Sequence, residues 1–169
     1  MIPVSVVERF RTYPNRHIDS MRIYVLVDGI QYQQQTGQQL ETLDGVAVSL
    51  FAGTRDIALA HAGPWLVATK EAHGKLADFG DLEAACPGVV WLFSRAGLES
   101  LADKLRPHLS VRLSNSRSAM LRFWDPRVLH ELNQTLQSKQ ERALFKAAPE
   151  WLYLDEGQRQ IINDDTSTI

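Results

Sequence analysis

The sequence holds a single cysteine, Cys86, in 169 residues. That excludes an internal disulfide framework and any cysteine-based metal cluster, and it is compatible with a reducing compartment. Long apolar runs are missing as well: no stretch approaches the ~20 consecutive apolar residues that cross a bilayer, so no membrane partner is expected. The opening segment "MIPVSVVERFRTYPNRHIDS" sets Val4, Val7 and Phe10 at helical spacing. It lacks both a basic start leading into an apolar run and a small-residue cleavage site, and a cytoplasmic location is the expectation. An excess of one charge is also lacking. A formal net charge of −2 offers no footprint for a phosphate backbone, which argues against nucleic acid as the main partner.

Catalytic signatures are scarce. There is no Gly-x-Ser-x-Gly elbow, no phosphate-cradling loop closed by Lys-Ser/Thr and no Gly-x-Gly-x-x-Gly. His17, His61, His73, His108 and His130 are scattered, with no pair four apart on a helix, so each reads as a structural histidine rather than a ligand. Cys86, followed by Pro87 and Gly88, reads as a small residue at a helix end. One foothold for an enzyme exists: Asp28 closes an apolar strand, the place where open α/β sheets bind ligands. Asp44, Asp56, Asp78 and Asp81 are the acids that could join it around a metal in a hydrolase or nuclease-like enzyme. No Asp-x-Asp pair supports that, and capping or turn formation beside Gly29 is the commoner role for Asp28. The expectation is a non-enzyme with neither metal nor cofactor.

With 44% apolar residues the chain can build one core and is short for two. A single domain over 1–154 is expected, followed by a polar, flexible tail over 155–169. Unbroken apolar runs in "MRIYVLVDG", in "PWLVAT" from Pro64 and in "GVVWLFS" predict strands covered on both faces. Helical patterns separate them: a short one after Thr54, one over 76–85, and one after Ser94 ending near Pro107. That alternation predicts an α/β domain with a mixed, mostly parallel sheet flanked by helices. Two short strands, over 109–113 and 119–124, predict a hairpin around Ser114, Asn115 and Ser116 that runs into a long helix. The Gln-rich "QYQQQTGQQ" reads as a polar loop or an exposed helix face.

The junction "LRFWDPRVL" is the densest feature. As a strand it sets Leu121 and Phe123 on one face and Met120, Arg122 and Trp124 on the other. Asp125 stands at a helix N-cap with Pro126 at the first helical position, where a missing amide proton costs nothing. Val128, Leu129, Leu132, Leu136 and Leu144 then form an apolar stripe. Arg122 and Arg127 are not explained by capping, since the positive end of a helix disfavours cations. Their acceptors are either internal, Asp125 among them, or on a partner chain. Trp124 and Arg127 are the best hot-spot candidates. Trp65 and Trp91 read as core residues, while Trp151, in "APEWLYLDEG", either seals the domain edge or meets a partner.

"LRFWDPRVL" closely resembles the signature of the VgrG-linked adaptor chaperones of bacterial type VI secretion, the domain of unknown function 4123. "YVLVDG" from Tyr24, "LFAGT" from Leu50, "AGPWLV" from Ala62 and "LFSRAGLESLADKLRPHL" from Leu92 resemble further family segments in the same order, over 24–151. The resemblance implies a non-catalytic cytoplasmic adaptor that binds a secreted effector toxin and helps load it onto the VgrG spike. It carries over to Arg122, Phe123, Trp124, Asp125, Pro126, Arg127, Val128 and Leu129. Together with the reading of the individual residues, partner contacts are expected at Arg122, Trp124, Arg127 and Trp151, and structural roles at Asp28, Pro64, Phe123, Asp125, Pro126, Val128 and Leu129.

Overall fold

A computed structural model describes residues 1–14 and 20–163; His17 and residues 164–169 of the expected tail lie outside them. Helix α1 (Val4–Thr12) precedes the central strand β1 (Arg22–Asp28), which turns directly into α2 (Gly29–Thr36). Strands β2 (Ala47–Ser49) and β3 (Pro64–Ala68) follow, with a 3-10 segment over Ile57–Ala62 between them. Next come α3 (Leu76–Ala85), β4 (Val89–Ser94) and α4 (Leu98–Leu105). A small hairpin of β5 (Ser110–Arg112) and β6 (Ser118–Met120) leads to α5 (Pro126–Thr135), and β7 (Glu150–Asp155) and β8 (Gln158–Ile162) close the described chain.

The main sheet has the order β2-β3-β1-β4-β7-β8, and every neighbouring pair is antiparallel. This corrects the expectation of a mostly parallel sheet. β3 and β4 do run the same way and are joined through α3, as in a βαβ unit. However, β1 lies between them in the opposite direction, with Val25 facing Val67 on one side and Trp91 on the other. The unbroken apolar runs have the cause inferred from sequence, coverage of both faces, but such coverage does not fix strand direction. Val25, Val27, Val67, Trp91 and Phe93 pack in one core with Val6, Tyr32, Phe79 and Leu82 from α1, α2 and α3. Tyr24, Leu26, Leu66, Val90 and Leu92 pack in the other, with Leu101, Leu105 and Leu129 from α4 and α5.

Three further expectations change. The hairpin β5-β6 is a separate two-stranded sheet, and its second strand ends at Met120 instead of reaching Trp124. The helix after it is of ordinary length and stops at Thr135, so Leu144 belongs to the later 3-10 segment Glu141–Ala147. Finally, residues expected in the tail form β8 as far as Ile162. The turn Glu156-Gly157 has φ of 48° and 76°, the positive pair that a tight two-residue hairpin requires. Arg159 fastens this strand by donating to both oxygens of Glu83, at 2.8 and 2.7 Å.

The start of α2 explains one glycine. The Gly29 amide donates to the Gly63 carbonyl at 2.8 Å, and a Cβ at Gly29 would stand 2.5 Å from the His61 carbonyl oxygen. Only a residue without a side chain lets the strand-to-helix turn rest on the backbone of the 57–62 segment. Pro64 sits opposite Asp28 in the register as the first residue of β3, a position where a strand tolerates a missing donor.

Candidate partner-binding corner

Two capped helix starts meet at one corner. The side chain of Asp28 is wholly buried and caps α2: its Oδ1 accepts the amide protons of Ile30 at 3.1 Å and Gln31 at 3.2 Å. Its Oδ2 accepts from the Gln31 side-chain amide and from Arg122 Nη2, each at 3.2 Å. Gln31 also donates to the Pro87 carbonyl at 3.1 Å. A residue of the Gln-rich segment thus belongs to the corner, and nothing in the local sequence signalled it.

Asp125 caps α5 as its position before Pro126 predicts. Its Oδ1 accepts from the Arg127 amide at 2.9 Å and from Arg127 Nε at 3.1 Å, and its Oδ2 from Nη2 at 2.8 Å. The guanidinium folds back onto the cap in a two-point pair, the strong form of such contacts. Hydrogen bonding to Asp125, then its charge, raises the Arg127 pKa, and Asp28 adds to this from farther away. Both arginines therefore have internal acceptors, which answers the open question of the sequence. Both also remain accessible, with side chains 50% exposed for Arg122 and 70% for Arg127.

The aromatic residues lie elsewhere than expected. The Asp125 amide donates to the Arg122 carbonyl at 3.0 Å, so residues 122–125 form a turn in which Phe123 and Trp124 enter the same core instead of alternating. Trp124 is 2% exposed and meets Phe51 and Phe123 edge to face at 6.1 and 5.7 Å. Trp151 is fully buried in β7, with its indole N–H on the Phe145 carbonyl at 3.1 Å; it seals the domain. Neither indole stands on the surface, which corrects the partner contact expected at Trp124 and, for Trp151, agrees with the other of its two readings, a seal at the domain edge. Phe123, Asp125, Pro126 and Leu129 are buried, and Val128 is partly so.

Arg122 covers the edge of this core. Its guanidinium carbon lies 5.8 Å from the Trp124 ring centroid, a cation–π distance. Beside it opens a cavity of about 260 Å³, walled by Trp124, Phe51, Met120, Ile30 and Leu59. The Trp124 Nε1 is buried and has no hydrogen-bond partner among the described residues. Ile30, Ile57, Leu59 and Met120 are exposed nearby in sequence or along the cavity. Single exposed aliphatics carry no sequence signal, so this patch was not foreseen.

The other acids do not gather around Asp28: among the described residues, no group of three or more His, Cys, Asp or Glu side chains is arranged to hold a metal. Asp78 instead accepts the Tyr32 hydroxyl at 3.1 Å. No helix among the described residues is long and apolar enough to cross a membrane.

No curated protein and no solved structure matches the chain. A family model does: residues 23–143, more than half of the sequence and including both capping acids and both arginines, match the domain of unknown function DUF4123, and the chain belongs to that family.

Proposed function

We propose that this protein is a non-catalytic adaptor chaperone that binds a secreted effector of a type VI secretion system in the cytoplasm and helps load it onto the VgrG spike. The ordered resemblance of "LRFWDPRVL" and the strand and loop segments before it is the sequence support. The observation that carries the reading is the division of labour at the corner. Its two acids, Asp28 and Asp125, are buried and hydrogen-bonded as helix caps, while its two guanidinium groups reach solvent. A carboxylate held by four donors is poorly suited to ligating a metal or activating water, because each donor must first be displaced. Exposed arginines on a rigid support suit the capture of another polypeptide.

Co-production with the proteins encoded by flanking genes tests the reading. The adaptor is expected to co-purify with one of them as a stoichiometric complex and to raise its soluble yield. Unchanged solubility and secretion of every flanking product after deletion of this gene would contradict it.

A further inference from the structure

The hairpin β5-β6 has an edge that the fold leaves open. The amide of Leu121 donates to the Leu109 carbonyl at 2.8 Å, and that of Leu113 to the Arg117 carbonyl at 2.7 Å. In an antiparallel pair the hydrogen-bonded and non-bonded positions alternate. Residues 117, 119 and 121 therefore turn their backbone groups toward β5, and Ser118 and Met120 turn theirs outward. Both are exposed, and among the described residues neither outward amide has a partner. Two concavities share Met120: the cavity at Trp124 and Arg122, and a second, of about 310 Å³, that reaches from Arg55 and Arg106 to Ser110 of β5 and to Ser118 and Ala119 of β6.

The charges around this edge are one-sided. Arg55 and Arg117 are exposed and form no ion pair among the described residues, and Arg122 uses a single nitrogen on Asp28. Asp56 is the acid of the second concavity. This contrasts with the net charge of −2 for the whole chain.

We propose that β6 is an acceptor edge for an extended segment of the partner protein, one that alternates acidic and aliphatic residues. The segment adds as a strand against Ser118 and Met120, seats an aliphatic side chain in the Trp124 cavity and sets carboxylates on Arg122 and Arg55. Strand addition of this kind takes affinity from main-chain hydrogen bonds and specificity from pockets for alternate side chains. The proposal rests on the adaptor reading and names how that partner is gripped. A nucleic acid would satisfy the arginines but leave the strand edge and the aliphatic cavity unused.

The test is a selection of random hexapeptides on the full-length protein, followed by binding measurements with the selected peptides. Enrichment of Asp or Glu alternating with Ile, Leu or Val is expected. Ser118→Pro removes only an outward amide and leaves the hairpin ladder whole, so it should weaken these peptides at least tenfold with unchanged thermal unfolding; Arg122→Ala should weaken them as much, with stability lowered by no more than its weak contact with Asp28 contributes. Arg112→Pro, on the opposite edge of the hairpin, should leave binding unchanged. Equal binding to Ser118→Pro, selection of peptides of another composition, failure to select any, or preferential binding of a short single-stranded oligonucleotide overturns the proposal. An effector that co-purifies equally with Ser118→Pro and the wild type sinks this inference while leaving the adaptor reading intact. Loss of all co-purification with the wild type sinks the adaptor reading instead.

Discussion

Arg122 Nη2 donates to the buried carboxylate of Asp28 at 3.2 Å across 94 residues of sequence. The contact joins the strand-to-helix turn of β1 and α2 to the turn that precedes α5. Asp28→Ala leaves the amides of Ile30 and Gln31 without their acceptor, and a loss of about 1–3 kcal/mol is expected. Because Arg122 is half exposed, a double-mutant cycle between the two residues should give a coupling of only about 0.5–1 kcal/mol in urea unfolding. A cycle with no coupling would remove the pair from the account.

Asp125→Ala takes away the α5 cap and the two-point contact with Arg127. Destabilisation of about 0.5–2 kcal/mol is expected, with Asp125→Asn recovering part of it because an amide oxygen still accepts the Arg127 amide. Equal stability of all three proteins in urea titration would show that the cap does not hold this helix.

Gly29→Ala brings a methyl group against the carbonyl oxygens of His61 and Gly63. Backbone on both sides leaves little room to yield, so a cost of about 1–3 kcal/mol is expected, read as a lower midpoint in thermal unfolding. A neutral substitution would mean that α2 can lift from the 57–62 segment without penalty.

Alkaline stability should fall in a defined window. Burial, then the charge of Asp78, pushes the Tyr32 hydroxyl up to about 12; burial, then Asp155, does the same for Tyr153, also to about 12. Each folded-state pKa lies above the unfolded value of roughly 10. The native state therefore holds protons that the unfolded state has released, and stability declines as pH rises from about 10 to about 12. Tyr32→Phe and Tyr153→Phe should each flatten that decline in unfolding titrations at graded pH. An undiminished slope in the double variant would contradict the assignment.

The Asp125 cap was legible because Asp-Pro after an apolar run is a local signal, carried within a few residues. The same holds for Asp28 beside Gly29 and for the helix of 98–105. Strand direction was not legible. "YVLV" and "VVWLF" are apolar because helices cover both faces, and that composition is the same whichever way the neighbouring strand runs. The αβ rhythm of β3, α3 and β4 suggested parallel neighbours, but the strand between them comes from far earlier in the chain. Trp124 and Trp151 raised the same difficulty: a tryptophan next to a charged residue reads alike as an interface anchor or as the lid of a core. The Asp28–Arg122 contact and the open edge of β6 arise only from tertiary packing.

The central proposal is that Arg122 and Arg127 serve chiefly to grip a partner and add little to the stability of the fold. Its most direct test pairs the thermal unfolding of Arg122→Ala and Arg127→Ala variants with their affinity for the partner protein expected to co-purify. The account predicts affinity at least about tenfold weaker, roughly 1.4 kcal/mol, with nearly unchanged unfolding temperatures. Wild-type affinity in both variants, or unfolding of the domain by Arg127→Ala, would contradict it.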